Sequence, residues 1–200
     1  MSIINMRLVL LAVLSALLFG CGGGGGGSSS APSSTTISGT AAAGAPVVGI
    51  VTIRDSSTPV KEKTAPIDST GKYTVDVAGM SGPFMLRAEG AVAGRHYSMY
   101  SGALQSDAGG TINITPLTDL VMSNIAAQIA ANLFDNNAGY ASSITAAKLQ
   151  TEQDELRALL LPVLTDLGLS ATVDLLRITF NANHTGFDAL LDAQIGRAHV

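Results

Sequence analysis

Val47-Val48-Gly49-Ile50-Val51-Thr52-Ile53 is the stretch on which the fold turns. Val47, Gly49, Val51 and Ile53 alternate with Val48, Ile50 and Thr52, so a strand here is apolar on both faces and is predicted to lie in the middle of a sheet. The same period of two continues outward. Tyr73, Val75 and Val77 alternate with Thr74 and Asp76. Phe84, Leu86 and Ala88 alternate with Met85, Arg87 and Glu89, and Ile112 and Ile114 with Thr111, Asn113 and Thr115. Each pattern is that of a half-buried strand. Turn signals separate the runs at Gly44-Ala45-Pro46, Asp55-Ser56-Ser57, Asp68 to Gly71, Gly79 to Pro83 and Asp107 to Gly110. Six or seven short strands at this spacing predict an antiparallel β-sandwich over residues 37–115, and no helical period precedes Pro116.

A small α-helical region is expected to follow over residues 116–194. Thr115-Pro116 supplies a hydroxyl cap and then a proline in the first turn, and Asp119 lies where the helix dipole favours an anion. Leu117, Leu120, Val121, Ile125, Ile129 and Leu133 form one apolar stripe, which Asp135 to Gly139 should end. A second stripe comprises Leu156, Leu159, Leu160, Val163, Leu164 and Leu167, with Thr151 and Asp154 as an expected capping pair, Pro162 as an expected kink and Gly168 as the stop. Thr172 and Asp174 are expected to begin a short third helix, and Thr185 and Asp188 to cap a fourth that runs through Leu190 and Leu191.

Ahead of the sandwich the composition changes. Arg7 precedes an apolar run from Leu8 to Phe19, broken only by Ser15, and Gly20-Cys21 follows. A positive residue, an apolar core and a small residue before a cut make the layout of a secretory signal over residues 1–20. As a helix the run measures roughly 18 Å at ~1.5 Å per residue, short of a hydrocarbon core of ~30 Å. Leu18-Phe19-Gly20-Cys21 resembles the lipobox of bacterial lipoproteins, with Phe19 larger than the family's usual residue there. That resemblance implies lipid on Cys21, a membrane as partner and, because Gly22 rather than Asp follows, the outer membrane of the cell envelope. The competing reading is a plain signal peptide with an accidental cysteine. Residues 21–36, rich in Gly and Ser, are expected to form a flexible tether of roughly 20 Å.

Within the sandwich, Ile37-Ser38-Gly39-Thr40 with Gly44-Ala45-Pro46-Val47-Val48-Gly49-Ile50-Val51 resembles the opening of carboxypeptidase-regulatory-like domains. Asp68-Ser69-Thr70-Gly71-Lys72-Tyr73-Thr74-Val75 resembles their second hallmark. The resemblance implies a transthyretin-like sandwich serving as a non-catalytic spacer or binding module, with no peptidase residues to carry over. An immunoglobulin-like sandwich of another topology fits the same spacing. Gly71 can take the positive φ of the turn, and Tyr73 can bury its ring with its hydroxyl at the edge.

Composition narrows the function. The formal charge is −4, and −6 once Arg7 and Arg197 are set aside with the segments that hold them, which argues against a nucleic-acid partner. With a single cysteine no intrachain disulfide can form. No GxSxG, HExxH, GxxxxGK[ST] or CxxC occurs, so no catalytic residue, metal ligand or cofactor is assigned. His96 and His184 read as isolated surface or edge histidines, Asp68 and Asp107 as turn caps, and Glu152, Asp154, Glu155 and Arg157 as a solvated helix face. Arg95, Tyr97 and Tyr100 are the candidates for a contact with an extracellular or periplasmic protein or carbohydrate, with packing at a sheet edge as the competing reading. Residues 195–200 match the translated start of a common sequencing-library adapter, whose next codon is a stop, and are expected to be non-native. The expected function is a lipid-anchored envelope protein with a non-catalytic sandwich. The alternative is the accessory part of a surface hydrolase whose catalytic domain lies beyond residue 194.

Overall fold

A computed structural model describes residues 35–136 and 140–197, without the side chains of 140–141 and 194–197. The signal-like run, Cys21 and most of the expected tether lie outside the described residues, as do 137–139 and 198–200.

Six strands come first: β1 (Thr36–Thr40), β2 (Val48–Arg54), β3 (Glu62–Ile67), β4 (Lys72–Asp76), β5 (Phe84–Val92) and β6 (Arg95–Ala103). They form two antiparallel sheets, one of two strands (β1-β4) and one of four in the order β3-β2-β5-β6. The result is a β-sandwich followed by a small helical region. β2 is central in the larger sheet, between β3 and β5, with Val51 opposite Ala65 on one side and Ala88 on the other. Its inner face behaves as the alternation requires. Val47, Val51 and Ile53 are buried with Phe84, Leu86 and Ala88, against Ile37, Tyr73 and Val75 of the small sheet. Its outer face does not: Val48 is 51% exposed and Ile50 48%. The helical region covers only the other half of that face, around Met85 and Tyr100.

Ile112 and Ile114 are buried in the sandwich core, but Thr111 and Ile114 meet β1 and the residue after it through isolated parallel bridges, to Ser38 and Ala41, rather than in a full strand. Tyr73 is buried with its hydroxyl, contrary to an edge position, and donates to the Ile112 carbonyl at 2.5 Å. Gly39, paired with Tyr73, makes this possible. A Cβ there would stand 1.7 Å from the Ile112 oxygen and 3.1 Å from the phenol oxygen. Burial pushes the Tyr73 hydroxyl far above its ordinary pKa, so it stays a donor. Gly71 takes the positive φ expected of it, 79°.

After a short 3-10 turn (Gln105–Asp107) come α1 (Pro116–Ala126), α2 (Ala130–Asp135), α3 (Tyr140–Ser143), α4 (Ala146–Asp166) and α5 (Phe187–Arg197). α1 begins as the sequence indicates. Thr115 Oγ1 accepts from Thr118 N at 3.3 Å, and Pro116 follows. The single stripe expected through Leu133 is broken at Ala127, which takes φ 51°, and Ile129 is 66% exposed in the break. The cap of α4 lies six residues before the expected one. Thr145 receives Lys148 N, and Ala146 to Gln150 are good helix formers with only one large apolar residue among them, too few to show a period. Its buried stripe is Leu149, Gln153, Leu156, Leu160 and Leu164, while Leu159 is 79% exposed. α4 ends in a Schellman motif: Gly168 N donates to Thr165 O and Leu169 N to Leu164 O, with Gly168 at φ 66°. The expected helix at Thr172 is instead a series of turns.

α1 packs on β6 and α2 on β5, so the larger sheet is the middle layer between the small sheet and the helices. Phe134 lies 5.5 Å from the Tyr100 ring, with the Arg54 and Arg87 guanidinium carbons 4.5 and 4.6 Å from its centroid. The segment between α4 and α5 returns to the small sheet. Asn113, fully buried, donates from its backbone N to Leu176 O (2.7 Å) and from Nδ2 to Ile178 O (2.6 Å), and it accepts Thr40 N (3.1 Å). Phe180 O receives Lys72 Nζ at 2.6 Å and Thr40 Oγ1 at 3.2 Å. Leu190 and Leu191 are fully buried in a second core, which the helical region forms with Met85 and Tyr100 of the larger sheet. The α5 backbone continues through Arg197, three residues into the stretch read as adapter-derived.

Candidate functional site

Period two separates the three contact candidates on β6. Arg95 and Tyr97 share the face toward the small sheet, Arg95 exposed and Tyr97 partly buried beside the sandwich core. Tyr100 is on the opposite face, buried beneath the helices. Its backbone N–H binds Asp119 Oδ1 at 3.0 Å. Burial raises the Asp119 pKa, and that hydrogen bond only partly offsets it. The structure therefore brings Arg95 and Tyr97 to one face and assigns Tyr100 to packing.

The acidic turns resolve into structural roles. Asp68 Oδ1 accepts Thr70 N, Thr70 Oγ1 and Lys72 N at 2.7–3.0 Å, and these bonds hold its carboxyl below the usual range. Asp107 accepts Leu104 N and is clasped by Arg177 through two bonds of 2.9 Å, which ties the turns before α5 to the sandwich. The hydrogen bond to Asp107 outweighs burial in raising the Arg177 pKa, so the guanidinium is permanently charged. The acidic cluster of α4 is not wholly solvated as expected. Glu152 is half-buried, and Asp154 and Glu155 are exposed. Arg157 is buried, donating to Val173 O at 3.0 Å and pairing with Asp154, because the turn at Val173 folds back over α4.

Two features were missed by sequence reasoning. One is an open groove of about 520 Å³ between β3 and β4, lined by Glu62, Lys63, Thr64, Ala65, Thr74, Val75 and Asp76. These strands belong to different sheets and do not pair. Lys63 Nζ spans the opening to Asp76 Oδ2 at 3.5 Å. Its signal was faint, because which strand ends at a sheet edge is a property of topology.

The other lies at the start of α5. His184, Asp188 and Asp192 each turn one potential ligand atom into a common space, all within 4.8 Å of one another. His184 is thus not isolated. Its Nδ1 is 2.8 Å from Asp192 Oδ2, and that hydrogen bond leads the effects that raise the imidazole pKa. Asp188 is fully buried; its Oδ2 accepts the His184 backbone N–H at 2.7 Å, while Oδ1 is buried with no hydrogen-bond partner. The spacing of four and four was visible in the sequence, where Asp188 had been read only as a cap. One imidazole and two carboxylates form a donor set suited to a divalent cation.

No family model matches the chain, and neither a curated protein nor a solved structure matches it.

Proposed function

We propose that this chain is a lipid-anchored protein of the bacterial cell envelope, held at the outer membrane through Cys21, with a non-catalytic β-sandwich as its spacer or binding module. The observation that carries the proposal is the Leu8–Phe19 run ending in Gly20-Cys21, followed by a Gly/Ser stretch and then by folded strands from Thr36. One acyl chain binds a membrane only marginally at ~0.8 kcal/mol per buried methylene, so a durable anchor takes two or more. None of the helices among the described residues is long and apolar enough to cross a membrane.

The carboxypeptidase-regulatory-like reading of residues 37–115 is supported by how its two sequence hallmarks meet. Ile37 to Thr40 lies in β1, Lys72 to Val75 lies in β4, and the two strands pair with Gly39 opposite Tyr73. Such a module offers surfaces rather than reactive groups. Arg95 with Tyr97, and the β3–β4 groove, are the places where an extracellular or periplasmic protein or a carbohydrate would be held.

Expression in a bacterium supplied with labelled fatty acid tests the anchor. The wild-type chain takes up label and partitions into detergent, and the Cys21→Ala variant does neither. Equal labelling of both chains refutes the proposal.

A further inference from the structure

We propose that His184, Asp188 and Asp192 bind a divalent transition-metal ion of the zinc class at the start of α5. The three residues follow one another at intervals of four, and the last two lie four apart on one face of the helix. Their potential ligand atoms are within 4.8 Å of one another. Ligand bonds of ~2.0–2.2 Å in tetrahedral geometry place donor atoms about 3.4 Å apart, so closure on an ion needs only small side-chain rotations. The two residues that must adjust are the ones able to do so, since His184 is exposed and Asp192 half-buried, whereas Asp188 is fixed in the core.

Asp188 shows that the cluster is more than a surface pair. A buried carboxylate oxygen without a donor bears the full desolvation cost of that atom, and none of the ion pairs among the described residues involves Asp188. The N-terminal dipole of α5 favours an anion there but puts no hydrogen bond on Oδ1. A cation held by the Asp188 carboxylate in the shared space offsets that cost. Two carboxylates and a neutral imidazole balance a dication. The imidazole directs the choice toward zinc-class ions, because calcium and magnesium favour all-oxygen sets. Three protein ligands leave a fourth position on the solvent side, where His184 is exposed, for water. The ion would staple the turn at His184 to the helix that contributes Phe187, Leu190 and Leu191 to the second core.

The test uses the full chain without a polyhistidine tag, in the Cys21→Ala background so that no thiol competes. Zinc is titrated calorimetrically, and cobalt is followed by its visible absorption. One equivalent should bind, with cobalt bands typical of nitrogen and oxygen ligands. His184→Gln and Asp192→Asn alter accessible side chains, and each should weaken binding by about tenfold or more while leaving the circular dichroism unchanged. Asp188→Asn should do the same where it folds. His96→Gln is the control and should change nothing. Zinc should raise the thermal midpoint of the parent chain and not that of His184→Gln. Absence of stoichiometric binding overturns the proposal. So does zinc affinity that is equal in the parent and His184→Gln, or equally weakened by His96→Gln.

Discussion

Replacing Asn113 by Ala tests whether the sandwich and the helical region are one cooperative structure. Asn113 is fully buried, and its side chain joins two parts of the chain remote in sequence by accepting Thr40 N at 3.1 Å and donating to Ile178 O at 2.6 Å. In the alanine variant the Thr40 N–H is left in the core without an acceptor, at about 1–3 kcal/mol, and the bond to Ile178 is lost at about 0.5–1.5 kcal/mol. The sum is a destabilisation of about 1.5–4.5 kcal/mol, or a midpoint lower by about 3–18 °C for a domain of this size. Urea unfolding should be followed in parallel by far-ultraviolet circular dichroism, which weights the helices, and by tyrosine fluorescence, which weights Tyr73, Tyr97 and Tyr100. Coincident transitions shifted together are expected, as for one two-state unit. A loss below about 0.5 kcal/mol, the range of ordinary surface substitutions, would refute the coupling through Asn113. So would a transition in which only the helical signal moves.

Other substitutions probe separate parts of the packing. Phe134→Ala removes a fully buried ring from between Tyr100 and the Arg54 and Arg87 guanidiniums and should cost about 3–5 kcal/mol in chemical denaturation. Leu156→Ala should cost about 2–5 kcal/mol, whereas Leu159→Ser, on the exposed side of the same helix, should stay within about 0.5 kcal/mol; equal losses would contradict the orientation of α4. For Asp55, burial raises the pKa, but bonds from Lys61 N, Ser57 Oγ, Ser81 N and Ser57 N outweigh it and hold the carboxyl below its ordinary value. A depressed folded pKa gives stability that is complete above the unfolded value of about 3.9 and is lost as pH falls through the folded value. Asp55→Asn should therefore flatten the acid limb of the stability–pH curve, and an unchanged limb would show that Asp55 does not drive it.

The sequence was most legible where one residue's physics decides its place. Alternation through Val47 to Ile53 located the inner face of β2, Thr115-Pro116 located the start of α1, and Gly168 the end of α4. It failed where the deciding partner is remote. Val48 and Ile50 look as apolar as Val47 and Val51, and only the limited reach of the helical layer leaves them exposed. Asn113 has the look of an outward polar residue in a strand, yet the returning segment at Leu176 and Ile178 buries it. Arg157 reads as solvated until Val173 folds back to receive it. The break at Ala127 carries no glycine or proline to announce it. Of the candidate sites, Tyr100 belongs to the packing, because residues three apart in a strand occupy opposite faces and its face is the one the helices cover. The His184 cluster was overlooked because Asp188 already had a role as a cap and His184 was read as an isolated surface or edge histidine, which hid their common spacing with Asp192.

Mass spectrometry of the N-terminal peptide, taken from the chain extracted from bacterial membranes, tests the central proposal most directly. Lipid anchoring predicts a mature chain that begins at Cys21, with a diacylglyceryl group in thioether linkage to its sulfur and residues 1–20 removed. A chain that keeps residues 1–20, or one that begins elsewhere with Cys21 as a free thiol, would contradict it.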